Sequence, residues 1–224
     1  MDTCIIIGYA THIKIITDVE KYGLHCERFF NDNHERICSK NVEDEIERVK
    51  NKRLKLYENV CKYLAGGLDI NQIKKMIDDD KLRGHLESLL KSLKATPMVT
   101  EHDRIRLVTN LRNIGRAFDL RIKKALSKMK EIIDVDSIHP YTHERISWGQ
   151  LLGDCINNTN DGIILVDCII LSHYRGNLIF VTLDEKDIIN NKYIIFKFAE
   201  EYCSLSIKPN FDICHITNLY PDNK

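Results

Sequence analysis

Two aspartates lie beside apolar segments in the last third of the chain. Asp161 opens a long apolar run, and Asp184 follows the strand-like run 178–182. Strands favour such apolar, β-branched runs, and an acid just past a strand's carboxyl end lies where open α/β sheets place their sites. Because hard divalent cations prefer carboxylate oxygens, this pair indicates a metal site held by rigid elements.

A carboxylate-held metal site could support hydrolysis of a phosphodiester. Two ions about 4 Å apart can activate water and stabilise both the attacking and the leaving oxygen. Clustered carboxylates destabilise the folded protein when no metal is bound, because like charges repel and raise the carboxyl pKa values. Most of the 33 acidic residues are expected to be solvated, and Asp154 and Asp167 compete with the first pair for a site role.

Other catalytic chemistries find less support in the sequence. His139 and His143 have the spacing of helical zinc ligands, but Pro140 between them predicts a loop. Gly66 and Gly67 are better interpreted as a helix stop than as a phosphate loop. No serine or cysteine has a recognisable nucleophile elbow.

Composition sets the broad class of the protein. The chain has 224 residues, of which 43% are hydrophobic and 29% charged, so it can bury a substantial core. A formal net charge of zero means that nucleic-acid binding would need a local basic patch. We expect a cytoplasmic protein, since no membrane span or signal peptide is visible and eight scattered cysteines without a C-x-x-C pair indicate free thiols.

Apolar spacing predicts the elements that position the acids. The run Ile5–Ile7 could be a strand or a helix, and the helix that follows Ser39 has Asn41 as its predicted N-cap. Pro97 separates two helical patterns in the middle of the chain. The predicted helices are 21–33, 41–66, 71–77, 81–93, 101–133, 146–156, 161–174 and 188–203, and the predicted strands are 36–39, 178–182 and 211–216.

The order of the motifs resembles that of the PIN-domain family, whose members are mostly metal-dependent ribonucleases. The motifs are Asp2-Thr3 followed by I-I-G-Y, then S-x-x-V-x-x-E ending at Glu45, then Asp161, then F-V-T-x-D-x-x-D-I containing Asp184. The resemblance covers residues 1–50 and 150–217. It implies a three-layer α/β/α fold with a central parallel sheet. It also implies acid positions at Asp2, Glu45, Asp161 and Asp184, and a further metal-binding position at Asp187.

Two departures from the family pattern bear on these expectations. The family's first acid follows the central strand of the sheet, whereas only Met1 precedes Asp2 here. Either that strand lies upstream, or the Ile5 run takes its place. Glu45 and Asp161 are also 161 − 45 = 116 positions apart, which we interpret as an all-helical insertion at 51–149 between the two parts, 1–50 and 150–224, of a discontinuous PIN-like α/β domain.

The predicted long helix of the insertion carries many basic residues and few acids. Its proposed RNA-contacting residues are Arg116, Arg121, Lys123 and Lys124. A solvated helix face explains the same pattern equally well.

The sequence therefore predicts a cytoplasmic endoribonuclease that uses Mg²⁺ or Mn²⁺ to cleave single-stranded RNA, with Asp2, Glu45, Asp161 and Asp184 as catalytic and metal-binding acids. One alternative is a catalytically inactive PIN domain that binds RNA or serves in assembly. Another is a different acid-based phosphohydrolase, such as a haloacid-dehalogenase-like phosphatase, although no D-x-D follows a first strand. The sequence leaves the RNA, homodimerisation and any protein partner open.

Overall fold

The computed structural model describes residues 1–12, 21–95, 100–139, 142–201 and 211–221. Pro97, Pro140 and Cys203, which entered the sequence predictions, lie outside these ranges, as does the end of the predicted helix 188–203. Of the residues in these ranges, 73% are helical. None of the described helices is both long enough and apolar enough to cross a bilayer.

The amino-terminal part contains two short helices and one strand. The isoleucine run forms helix α1, Thr3–Thr11, and Ile5, Ile6 and Ile7 are all buried there. Helix α2, Gly23–Asn31, and strand β1, Ile37–Ser39, follow. Burial on every side explains why periodicity could not distinguish a helix from a strand in this run.

Four helices, three of them long, form the described part of the middle of the chain. They are α3, Lys40–Ala65; α4, Ile70–Lys75; α5, Asp80–Ser92; and α6, Glu101–Ser127. Asp69, Asp79 and Thr100 cap the last three of these helices, each through a side-chain oxygen that accepts a backbone N–H. The predicted cap Asn41 lies within α3 instead, and its side chain donates to Asp167.

The predicted helix 101–133 ends earlier than its apolar spacing indicates. Residues Glu131–Ile133 form strand β2, which pairs in parallel with β1, and the N–H of Lys130 donates to the carbonyl of Arg36. A short 3-10 turn, Val135–Ser137, follows. Pairing with a distant strand overrides the local helical pattern here.

The carboxyl-terminal part alternates helices and strands. It contains α7, Thr142–Ile156; α8, Thr159–Arg175; β3, Ile179–Thr182; a π-helical turn, Glu185–Ile189; α9, Lys192–Glu201; β4, Asp212–His215; and α10, Ile216–Leu219. The helix predicted at 161–174 and the strands predicted at 178–182 and 211–216 are confirmed within one or two residues at each end.

The predicted three-layer α/β/α fold with a central parallel sheet is wrong. Among the described residues the strands form two separate parallel pairs, β1 with β2 and β3 with β4, and the fold is mostly helical. The pairs are three and four residues long. Because the Ile5 run is helical, it does not serve as a strand that would join the two pairs.

Two hydrophobic clusters divide the interior. The larger one contains α1, α8 and the strands, and the smaller one lies among α3 to α6. Helices α3 and α6 extend through both: Ile46 and Phe118 belong to the larger cluster, whereas Leu64 and Leu107 belong to the smaller one. The middle helices are therefore continuous with the elements that hold the acids.

Helices α7 and α8 pack closely at their glycines. A Cβ at Gly162 would lie 2.3 Å from the carbonyl oxygen of Gly149, and a Cβ at Gly153 would lie 2.5 Å from the Cα of Thr159. Backbone contact of this kind requires residues without side chains. It fixes the first turn of α8, which carries Asp161.

Candidate functional site

The structure brings four of the predicted acids into one cleft of about 610 Å³. Asp2 precedes α1, Glu45 lies in the second turn of α3, Asp161 lies in the first turn of α8, and Asp184 follows β3. These residues are far apart in sequence, so only the tertiary fold can assemble them. Asp187 lies three positions after Asp184, and its backbone N–H donates to Asp184 Oδ1 at 2.7 Å.

Asp2 is held by contacts with the end of β3. Its backbone N–H donates to the carbonyl of Val181 at 3.0 Å, and its Oδ2 accepts from the Thr182 hydroxyl at 2.5 Å and from the Cys4 thiol at 2.9 Å. Asp2 is only 4% exposed. Burial raises the pKa of the Cys4 thiol well above its usual value and the Asp2 charge raises it further, so Cys4 stays protonated and can donate.

Glu45 and Asp184 are also oriented by hydrogen bonds. The hydroxyl of Thr3 donates to Glu45 Oε2 at 2.6 Å, which links α1 to α3. The N–H of Asp184 donates to the Thr182 hydroxyl oxygen at 2.9 Å, and the Asp184 side chain caps the π-helical turn. Thr182 therefore connects Asp2 to Asp184 through a single oxygen.

Asp161 has a perturbed carboxyl group. Its Oδ2 accepts from Asn158 Nδ2 at 2.6 Å, and Asn158 also caps α8 by accepting the Asp161 N–H. Burial raises the pKa of Asp161 to about 7, and the charges of Asp2, Asp184, Glu45 and Asp187 contribute to the rise. Five carboxyl groups are thus close enough to interact electrostatically.

The donor chemistry of this cluster suits a hard divalent cation. Every acid offers oxygen ligands, and the hydrogen bonds described above each occupy one oxygen of the carboxyl group that they orient. A bound cation would offset the mutual repulsion that raises the pKa of Asp161. Among the described residues, no three His, Cys, Asp or Glu side chains are arranged as a ready-made metal cage.

Basic side chains line the same cleft. Arg48 and Lys52 follow Glu45 on α3 by three and seven positions, so the three share one face of the helix. Over seven residues the helix rises by about 10 Å. The basic residues lining the cleft are Lys21, Arg48, Lys52, Arg53 and Lys81, and the rings of Tyr22 and His85 accompany them.

Sequence reasoning missed this basic face of α3, although a signal for it was present. One helix face with the spacing i, i+3, i+4, i+7 contains Glu45, Arg48, Val49 and Lys52. Two basic residues on this face therefore lie beside Glu45, which the sequence had already assigned to the site. The hydroxyl of Thr182 was also missed as a link between two acids. Its position in the motif F-V-T-x-D gives the only signal for it.

The predicted RNA-contacting residues of α6 lie elsewhere among the described residues. Arg121 donates to the Tyr9 carbonyl at 2.8 Å and stacks 4.1 Å from the centroid of the Tyr9 ring, so it packs α6 onto α1. Lys123 pairs with Asp119 at 2.7 Å. Arg116 and Lys124 are exposed on α6. None of the four lines the acid cleft as described.

The competing acids have other surroundings. Asp167 is 1% exposed and pairs with Arg145 at 2.7 Å, while its second oxygen accepts from Asn41 at 2.8 Å. Asp154 is exposed on α7. Asp167 therefore has a structural role in joining α7, α8 and α3. The seven described cysteines are thiols rather than disulfides.

Comparison with known proteins adds no identification. No profile of a protein family, no curated protein and no solved structure matches this chain. The resemblance to PIN domains therefore rests on the order of the sequence motifs alone.

Proposed function

We propose that this protein is a metal-dependent ribonuclease that cleaves single-stranded RNA in the acid cleft. The observation that carries the proposal is the position of Asp161, which is half-buried in the first turn of α8. Its carboxyl group interacts with the charges of Asp2, Glu45, Asp184 and Asp187 in a cleft that basic side chains also line. Acids that hold divalent cations beside bases that attract phosphate form a combination suited to phosphodiester hydrolysis.

Different residues of the cleft would have different roles in such a reaction. Asp2, Glu45, Asp161 and Asp184 would hold Mg²⁺ or Mn²⁺, which when bound lowers the pKa of water and stabilises charge on phosphoryl oxygens. The Thr182 and Thr3 hydroxyls and the Asn158 amide fix the carboxyl groups, so the acids need little reorganisation to receive a cation. Arg48 and Lys52 attract the phosphate backbone towards them.

The direct test compares Asp184→Asn with the wild type. Asparagine keeps Oδ1, which accepts the Asp187 N–H, so the local turn is preserved. It removes one charge, so cation binding weakens. We expect loss of Mg²⁺- or Mn²⁺-dependent cleavage of a generic single-stranded RNA, and a smaller rise in melting temperature on addition of metal, because binding to the native state stabilises it by mass action.

The exposed acid Asp154 supplies the control for this test. Asp154→Asn should retain both the cleavage and the metal-induced rise in melting temperature. Equal cleavage and equal metal-induced stabilisation in Asp184→Asn and the wild type would exclude Asp184 from the site. Metal-induced stabilisation that is lost in the variant, with RNA binding but no cleavage in the wild type, would favour the inactive RNA-binding module.

A matched pair of double variants tests the path of the RNA. Arg48→Ala with Lys52→Ala removes two exposed charges from the cleft, and Arg116→Ala with Lys124→Ala removes two exposed charges from α6. We expect only the first double variant to weaken binding and to lower the slope of log affinity against log salt by about 1.4, the value for two single-strand phosphate contacts. A larger effect of the second would place the RNA on α6.

A further inference from the structure

The acid cleft extends beyond the acids onto a second wall, which the middle helices form. Lys81, Leu82 and His85 of α5 line this far wall, and Lys52 and Arg53 of α3 lie beside them. Lys81 and His85 are four positions apart and therefore share one face of α5. The far wall thus combines charged side chains, an apolar side chain and an imidazole ring.

The imidazole of His85 is fixed through one of its two nitrogens. Its Nε2 lies 2.6 Å from the hydroxyl of Tyr57, which is itself a buried residue. Among the described residues Nδ1 of His85 has no hydrogen-bond partner, and the side chain is half-buried and lines the cleft. A ligand in the cleft can therefore bond with Nδ1 without displacing Tyr57.

His85 is uncharged near neutral pH. Burial lowers the pKa of His85 to about 3, and the nearby charge of Arg53 contributes. A neutral imidazole has one donor and one acceptor nitrogen and no positive charge to attract a phosphate. It suits an uncharged polar group that also has an aromatic face, which in a nucleic acid is an unstacked base.

Exposed cations accompany this neutral ring on the far wall. Lys52 and Lys81 both have exposed side chains. Asp79 lies on the same wall, 3.8 Å from Lys52. An ion pair between exposed side chains is weak, so Lys52 can exchange its contact with Asp79 for a contact with phosphate. The far wall therefore offers phosphate contacts next to a contact for a base.

The far wall is several nucleotides away from the acids. Tyr57, which holds His85, follows Glu45 on α3 by 57 − 45 = 12 positions, and twelve residues of helix rise by about 18 Å. Stacked nucleotides of one strand are roughly 3.4 Å apart, so about five of them, or fewer extended ones, span this distance. A base on His85 is therefore remote from the phosphodiester bond at the acids.

We propose that the far wall is a remote nucleotide subsite, in which His85 binds one base of single-stranded RNA and Lys52 and Lys81 bind the adjoining phosphates. This inference rests on the proposed function, because it assigns the other end of the same cleft. It gives the middle helices a role in substrate binding, with α5 holding the RNA at a distance from the bond that is cleaved.

The experiment moves a single abasic nucleotide through a fluorescent RNA of ten nucleotides. Affinity for the full chain is measured with Ca²⁺ in place of Mg²⁺, for the wild type, His85→Ala and Lys81→Ala. The matched control is His102→Ala, at an exposed histidine on α6 that is not part of the cleft lining. His85→Asn, which removes the ring but keeps a polar group, replaces His85→Ala if the latter lowers the melting temperature.

The two cleft variants should lose different contacts. His85→Ala should weaken binding of the intact RNA by about tenfold, as for one stacked base, with an unchanged slope of log affinity against log salt. For one position of the abasic nucleotide, the wild type and His85→Ala should bind equally. Lys81→Ala should lower the salt slope by about 0.7 and weaken intact and abasic RNA alike. His102→Ala should match the wild type.

Cleavage of the same RNA with Mg²⁺ or Mn²⁺ separates this inference from the proposed function. If the wild type cleaves the RNA but His85→Ala binds the intact and every abasic RNA with the same loss, or with none, the subsite is overturned and the ribonuclease proposal is retained. If the base-dependent loss is found without cleavage, the subsite is retained and the inactive RNA-binding module is favoured. A wild type that binds no RNA would overturn both proposals.

Discussion

The hydroxyl of Thr182 donates a 2.5 Å hydrogen bond to the carboxylate of Asp2, across 180 positions of sequence. The same oxygen accepts the N–H of Asp184. Thr182 is fully buried, so water cannot replace either contact. One side chain at the end of β3 thereby fixes two acids of the cleft.

Replacing Thr182 with Val should therefore destabilise the protein and weaken the site together. Valine keeps the shape but leaves the Asp184 N–H and an Asp2 oxygen without this partner. We expect a loss of about 1–3 kcal/mol in the free energy of unfolding, measured by urea titration, and a smaller metal-induced rise in melting temperature. Thr109→Val is the control, because the exposed Thr109 hydroxyl donates only to Ile105 of its own helix, and its change should stay within about 0.5 kcal/mol. Equal effects of the two would contradict a special role for Thr182.

The contact between α7 and α8 should be intolerant of even one methyl group. Gly162→Ala places a Cβ 2.3 Å from the Gly149 carbonyl oxygen, and backbone atoms cannot move aside as a flexible side chain would. We expect the free energy of unfolding to decrease by about 1–3 kcal/mol or more, and the neighbouring Asp161 to be displaced. Gly84→Ala on α5 is the control, since no atom lies within 4 Å of its Cβ position. It should gain about 0.5–1 kcal/mol from helix propensity. Similar effects at both glycines would mean that the helices are less closely packed than described.

The pair Arg145–Asp167 should be strongly coupled, because both side chains are buried. Arg145→Met removes the guanidinium that pairs with the Asp167 carboxylate. We expect the free energy of unfolding to decrease by about 3–5 kcal/mol at neutral pH. Burial raises the pKa of Asp167, so protonation at low pH should reduce this loss. The double variant Arg145→Met with Asp167→Leu should lose less than the sum of the single variants.

An exposed ion pair gives the comparison for this prediction. Arg175 pairs with Glu131 at 2.8 Å near the surface, and Arg175→Met should cost at most about 1 kcal/mol. Additive single and double variants at Arg145 and Asp167 would show that burial does not couple them.

Local signals in the sequence predicted most elements but not their arrangement. Helix α8 and strand β3 followed from an apolar run that ends at Gly176, where a positive φ of 67° favours glycine. Strand β2 was assigned to a helix because Ile132 and Ile133 also suit helical spacing. Its pairing with β1 depends on residues nearly a hundred positions away, which a local pattern does not contain.

The predicted central sheet failed for a related physical reason. The Ile5 run is buried on all sides as a helix, and a fully buried run gives no periodic signal to choose between helix and strand. Asp161 and Asp184 could be placed at element ends, since the apolar run after Asp161 was long enough for a helix and the run before Asp184 suited a strand. Thr3 and Asn158, which donate hydrogen bonds to Glu45 and Asp161, could not be predicted from the sequence. A single hydroxyl or amide shows no pattern in the sequence, and its hydrogen-bond partner is set only by the fold.

The stability of the protein without metal should decrease as pH rises from about 4 to about 7, and Asp161 should be a main cause. Burial and the four neighbouring acids raise its folded-state pKa from 3.8 to about 7. Between these values the folded state binds a proton that the unfolded state has released. The stabilisation from Asp161 is therefore fully present below the unfolded pKa and is lost as pH rises through the folded pKa.

Asp161→Asn should remove this part of the pH dependence, because asparagine carries no charge and can still accept from Asn158. With a chelator present, we expect the free energy of unfolding of the variant to exceed that of the wild type by roughly 2 kcal/mol at pH 8, after allowance for screening by water. Near pH 4 the two free energies of unfolding should be equal. Urea titrations across this range measure the difference. Asp154→Asn, at an exposed acid, should follow the wild-type curve. Added Mg²⁺ or Mn²⁺ should reverse the order at pH 8, because the ionised Asp161 then contributes to cation binding. Parallel pH curves for Asp161→Asn and the wild type would contradict the coupling of this carboxyl group to the other acids.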